Sequence, residues 1–137
     1  FFTGFSRNSS LILNEQNKKT LKNDKSIIEN LDYVKSLGYE IKKTLINGKI
    51  NDFGKLMHEH WKYKLKRSKN MSNNFINDIY ELALKNGANG GKLIGAGGGG
   101  FILFQTNTPN RLRKALLNKK LTEVRFKFDF EGVKQIL

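Results

Sequence analysis

Residues 90–104 read GGKLIGAGGGGFILF, in which apolar residues at 93–94 and 101–104 flank the six-residue stretch GAGGGG. Apolar and aromatic residues on both sides of a glycine turn predict two strands, "KLIGA" and "GFILFQT", joined as a hairpin. Positions 101–104 are apolar enough to predict burial on both faces. A hairpin turn needs one or two glycines, and each further ordered glycine costs more backbone entropy than any other residue. Five glycines in six positions therefore point to backbone that a ligand or a second loop must approach closely. The simpler alternative is a tight turn packed near a helix. The N–H groups of Gly95, Gly97, Gly98, Gly99 and Gly100 can converge into an anion-binding nest. The common phosphate fingerprints do not match, because GxxxxGK[ST] is absent and the glycines lead into a strand instead of opening a helix.

Outward from this hairpin the apolar period changes. "FFTGF" predicts a strand over 1–5, after which Ser6 is positioned to cap a helix running to about Leu21. Asp24 offers a second cap, and Ile27, Ile28, Leu31, Val34, Leu37, Ile41 and Leu45 recur at helical spacing up to a stop near Gly48. Ile50, Phe53, Leu56, Met57, His60 and Trp61 mark a third helix. Phe75, Ile76, Ile79, Tyr80, Leu82 and Ala83 mark a fourth, ending at Gly87. Between them lies "KYKLKRSKNMSNN", which predicts a loop near 68–72. Downstream, Thr108-Pro109 starts a helix carrying Leu112, Leu116 and Leu117. In "TEVRFKFDF", Val124, Phe126, Phe128 and Phe130 alternate with polar residues, the clearest strand pattern in the chain, and "GVKQIL" adds a short edge strand. The resulting fold class is an α+β sandwich, one domain over 1–137, with helices on one face of a mostly antiparallel sheet.

Composition narrows the chemistry. A chain of 137 residues with 38% hydrophobic content supports one globular core. Zero cysteines exclude disulfides, thiolate nucleophiles and Cys-based zinc sites, and no metal site is expected. No apolar run approaches the roughly 20 residues of a membrane helix, and no signal-peptide pattern opens the chain, so a soluble, cytoplasmic protein is expected. Because the chain begins at Phe1 already inside a predicted strand, it reads as a piece of something longer. The net charge of +13 raises nucleic acid as a partner. Yet 20 of the 25 cations are lysines scattered among Asn and Ile, which makes nucleic acid the less favoured class.

The stretch GGKLIGAGGGGFILF resembles the C-terminal glycine motif of the GHMP kinases, in which a Lys, a Gly-Ala-Gly turn and a further glycine run lie between two strands. "FFTGFSRNSSLILNEQ", "LMHEHWKYKLKRS" and "IYELALKNGANGGK" are similar to the sugar-kinase branch that acts on D-glycero-D-manno-heptose 7-phosphate. The resemblance implies a ferredoxin-like C-terminal domain and an intact enzyme that uses ATP and Mg2+ to phosphorylate the anomeric hydroxyl of a heptose 7-phosphate. A fucokinase-like or galactokinase-like substrate is the alternative within the family. It also implies that the nucleotide-binding loop (Pro-x-x-x-Gly-Leu-Gly-Ser-Ser), the magnesium ligands and the catalytic residues belong to an N-terminal domain missing from this chain. Gly95, Ala96, Gly97, Gly98 and Gly99 would press on that nucleotide loop and on the transferring phosphate. Without the partner domain the chain is expected to fold but not to catalyse, and to expose an apolar patch that leaves a homodimer open.

Thr3, Gly4, Ser6 and Arg7 are candidate substrate contacts in the similar stretch "TGFSR", Arg7 because guanidinium pairs well with phosphate. Lys92 precedes the loop and is placed either to reach a phosphate or to neutralise a nearby carboxylate. Lys62, Lys66 and Lys69, with Arg67 adjacent, fall on one helical face and read either as a grip on a remote phosphate or as a solvated row. His58 and His60 diverge on a helix and read as structural, Trp61 and Tyr63 as packing residues.

Overall fold

The computed structural model describes residues 1–4, 9–129 and 131–132. Five helices and two strands follow in the order α1 (Ser9–Leu21), α2 (Lys25–Ile46), α3 (Ile50–Leu65), α4 (Asn74–Lys85), β1 (Ala88–Leu93), β2 (Ile102–Thr106) and α5 (Pro109–Leu117), with one 3-10 turn at Lys69–Met71. Local chemistry sets most boundaries. The Asp24 carboxylate accepts from the N–H groups of Ser26 and Ile27, and Asn73 does the same for Ile76 at the start of α4. α2 and α4 are followed by Gly48 and Gly87 with left-handed φ, and Pro109 occupies the first turn of α5.

β1 and β2 form an antiparallel pair with Gly91 opposite Phe104, Lys92 opposite Leu103 and Leu93 opposite Ile102. α3 lies across β1 with its buried stripe of Gly54, Met57, Trp61 and Lys64, and α2 packs on the far side of α3. The approach of α3 to β1 is close: a Cβ on Gly90 would lie 1.9 Å from the Gly54 carbonyl oxygen, so no side chain fits there. Trp61, Ile76, Ile79, Tyr80, Ala83, Leu93, Ile102, Leu112 and Leu116 make the core between the helices and the sheet. Buried Tyr80 donates its hydroxyl to the Gly91 carbonyl at 2.8 Å, accepts from the Gly91 N–H at 3.2 Å and meets His58 Nδ1 at 2.9 Å. His58 and Trp61 are thus structural residues, as their positions in the sequence imply.

Three expectations fail. Residues 123–129 form no ladder, and the one backbone pairing of the described residues 122–129 is a bridge between Thr122 and Phe2. Val124, Phe126 and Phe128 are 46%, 63% and 76% exposed, so the alternation has no core beneath it and pairing cannot propagate. Of the strand expected over 1–5, Phe5 lies outside the described residues, and the described part forms only isolated bridges, from Phe2 to Phe101 on one side and to Thr122 on the other. Phe101 is 46% exposed, so the run 101–104 is not buried on both faces. Ser6 as a cap, Phe130 and the edge strand over 133–137 lie outside the described residues.

Candidate functional site

The glycine stretch leaves β1 at Leu93 and returns at Ile102. Gly95, Gly97, Gly98 and Gly100 all have positive φ, between 75° and 121°, a region that side-chain-bearing residues rarely occupy. Three anchors hold this backbone. The Gly98 N–H donates to the Met71 carbonyl at 2.8 Å, binding the loop to the 3-10 turn. A Cβ on Gly97 would meet Met71 Sδ at 2.8 Å and Met71 O at 3.2 Å, so the glycine allows that contact. The Gly100 carbonyl accepts from both the N–H and the hydroxyl of Thr3, each at 2.9 Å. At the other end the Lys64 ammonium donates to the Gly95 carbonyl and, at 3.2 Å, to the Leu93 carbonyl.

Among the predicted contacts, Thr3 is buried against the loop's end and Gly4 is exposed with a left-handed φ. Ala96 and Gly97 are half-buried, Gly98 and Gly99 buried and Gly95 exposed. Lys92 is half-buried on β1 at the loop's entry. Ser6 and Arg7 lie outside the described residues.

Lys62, Lys66 and Lys69 form the solvated row, one of the two readings the sequence allows, and of the described cations the sequence singled out only Arg67 and Lys92 are wholly or partly removed from solvent. Lys62 pairs with Glu59 at 2.7 Å in solvent, and Lys66 lies 4.1 Å from the centre of the Tyr63 ring. Lys69 is exposed. Lys64 and Arg67 are buried instead, at 6% and 9% exposure. The signal was available: Lys64 continues the spacing Gly54, Met57, Trp61 and so falls on the buried stripe. Arg67 Nε donates to Asn30 Oδ1 at 2.9 Å, and Asn30 in turn donates to the Tyr63 carbonyl at 2.9 Å. One terminal guanidinium nitrogen of Arg67 and the Nδ1 of His60 are buried without a hydrogen-bond partner.

Burial pushes the Lys64 ammonium down to about 8, and the charges of Lys92 and Arg67 add to the shift. Lys92 is lowered by burial and by Arg67, and Arg67 by burial. His60 falls to about 4, again through burial first and then Lys92, Arg67 and Lys64. No carboxylate contributes to any of these four shifts. Among the described residues no three His, Asp or Glu side chains gather as a metal site, and no helix is long and apolar enough to cross a membrane.

Residues 41–122 match the family described as GHMP kinases C terminal. The chain is 32% identical over 98% of its length to D-glycero-alpha-D-manno-heptose 7-phosphate kinase of Campylobacter jejuni, and covers 40% of that protein. It is 27% identical over 89% of its length to the bifunctional fucokinase/GDP-fucose pyrophosphorylase of Arabidopsis thaliana, and covers 11% of it. The chain therefore spans less than half the length of these relatives. Its fold matches that of L. major mevalonate kinase, solved in complex with R-mevalonate, with a TM-score of 0.76 over 86% of this chain and 36% of the other, at 20% identity.

Proposed function

The chain belongs to the GHMP kinase family, and on that premise we propose that it forms the C-terminal wall of the active site in an ATP-dependent sugar kinase acting on a heptose 7-phosphate. The observation that carries this reading is the loop over 95–100, held in left-handed backbone by Met71, Thr3 and Lys64 at the rim of a cationic corner. Phosphoryl transfer forms a bond from the anomeric oxygen to the γ-phosphorus and breaks the bond to the β-phosphate bridging oxygen. The protein contributes mainly position and charge. Glycines at Gly95, Gly97, Gly98 and Gly99, with the small Ala96, let reacting phosphate approach to backbone distance. Thr3 fixes the loop's far end, while Gly4, Ser6, Arg7 and Lys92 supply the sugar-facing contacts.

The described residues do not fit a magnesium ion, since no carboxylate set stands near the loop. A nucleotide-binding domain preceding Phe1 in the whole protein would supply that chemistry.

The test compares ADP release by the whole protein with D-glycero-D-manno-heptose 7-phosphate, fucose and galactose. A kcat/KM at least about a hundredfold higher for the heptose phosphate is expected, because a site built for a charged group rejects substrates lacking it. Preference for fucose or galactose would replace the substrate, and no turnover of any sugar would refute the kinase reading.

A further inference from the structure

Lys64 reaches the glycine loop directly, Lys92 leads into it on β1, and Arg67, three residues beyond Lys64, interacts with both cations, with no carboxylate among them in the described residues. Burying a charge costs several kcal/mol unless an opposite charge compensates. The ion pairs among the described residues lie elsewhere, at Lys19–Glu15, Lys55–Asp52, Lys62–Glu59 and Arg113–Glu123. Glu15, on the nearby helix α1, is engaged by the Ser68 hydroxyl and by Lys19. Among the described residues, what touches these cations is neutral: the carbonyls of Leu93 and Gly95 on Lys64, and the Asn30 amide on Arg67.

Each cation keeps a donor in reserve. The Lys64 ammonium has three donors and gives two to carbonyls, so one remains. Asn30 orients the Arg67 guanidinium through Nε, and a buried terminal nitrogen of the same fork has no partner. Lys92, half-buried on β1, has no hydrogen-bond or ion-pair partner among the described residues. We propose that Lys64, Arg67 and Lys92 form a binding site for a phosphate monoester dianion, the remote phosphate of the sugar phosphate.

Charge selects this class of ligand. A carboxylate would leave two of the three positive charges uncompensated, whereas a phosphate monoester carries nearly two negative charges at neutral pH and several acceptor oxygens. The fork of Arg67 matches two of those oxygens, and the lysines act as point charges beside it. Burial first and then mutual repulsion depress Lys64 and Lys92, and burial with the same cations depresses His60, so an anion among them would be favoured. Lys92 is the most accessible of the three and marks the mouth. The identity of the phosphate's owner rests on the sugar-kinase reading; the anion site does not.

The test titrates inorganic phosphate into the 137-residue chain at constant ionic strength set with potassium chloride, read by calorimetry and by melting temperature. Saturable binding that chloride does not reproduce is expected. Lys92→Met should weaken it about tenfold or more, the loss of one charge-assisted contact. Arg67→Lys, which keeps the charge but not the fork, should weaken it similarly. Lys92 makes no hydrogen bond or ion pair with the described residues, so its variant remains informative if the Arg67 variant fails to fold. Heptose 7-phosphate should displace phosphate, while unphosphorylated heptose should not. No binding beyond chloride, or unchanged affinity in Lys92→Met, overturns the site. Displacement by ATP but not by heptose 7-phosphate overturns the assignment to the sugar's phosphate. Phosphate capture by a protein whose intact form leaves heptose 7-phosphate unphosphorylated upholds the anion site and overturns only the kinase reading.

Discussion

Alanine at Gly95 and alanine at Gly97 should have different consequences although both glycines have positive φ. At Gly95, φ is 80° and a Cβ would meet nothing within 4 Å, so the substitution costs only left-handed strain, about 1–2 kcal/mol. At Gly97, φ is 121° and the Cβ would lie 2.8 Å from Met71 Sδ and 3.2 Å from Met71 O. Met71 is 1% exposed and its carbonyl is bonded to the Gly98 N–H, so neither atom gives way cheaply. Overpacking adds about 1–3 kcal/mol to the strain, for a total of about 2–5 kcal/mol. At roughly 4 °C per kcal/mol for a domain of this size, Gly95→Ala should lower the melting temperature by about 4–8 °C and Gly97→Ala by about 8–20 °C. Melts of the chain followed by circular dichroism measure both. In the whole protein, Gly95→Ala should reduce kcat well beyond what its small stability loss explains, because its new methyl projects into the open side of the loop. Equal melting shifts for the two variants would refute the packing on Met71. Unchanged turnover in Gly95→Ala would reduce the loop to a turn.

Tyr80→Phe should destabilise the chain by about 1–3 kcal/mol in urea titrations, since it strips the partner from both polar groups of Gly91 while preserving the ring's packing. Stability should also fall as pH drops from 6.5 towards 4. His60 titrates near 4 when folded and near 6.5 when unfolded, so the unfolded chain binds more protons in that window, and His60→Gln should flatten this part of the profile. Phe126→Ser with Phe128→Ser should leave the melting temperature unchanged but reduce any self-association seen by light scattering, because both rings are mostly exposed. The chain by itself should melt cooperatively and release no ADP from ATP with heptose 7-phosphate; sugar-dependent turnover by these 137 residues would refute the division of labour between domains.

The helices were legible because their signals are local. Asp24, Pro109, Gly48 and Gly87 act within a few residues of themselves, and the apolar period of α2 to α4 needs no knowledge of what lies opposite. The hairpin was legible for the same reason, although its first strand runs Ala88–Leu93 and not over KLIGA at 92–96, because the positive-φ glycines from Gly95 on leave the ladder. "TEVRFKFDF" misled because alternation states only that a strand is possible; whether a ladder forms depends on a free edge elsewhere, and the described part of the segment bridges Phe2 at Thr122 alone. The basic corner was half-hidden. Reading Lys62, Lys66 and Lys69 as a row follows charge alone, whereas carrying the apolar stripe through Trp61 places Lys64 inside. Arg67 lies past the end of α3, and its burial depends on Asn30 from α2, a tertiary contact that no local pattern encodes.

The bonds linking Phe1, Phe2 and Thr3 to residues 100–102 and 122 bear on the order of folding. They join positions about a hundred apart in the chain, so closing them carries the largest loop entropy in the domain. The helical pairs α2–α3 and α4–β1 are near neighbours and can assemble early, during synthesis, while the N-terminal segment waits for its partners to emerge. The Gly100 carbonyl acquires its Thr3 donors only at that late closure. The loop's geometry is therefore completed by one of the most entropically demanding closures in the domain, and a chain lacking Phe1–Thr3 would keep its helices without a finished loop.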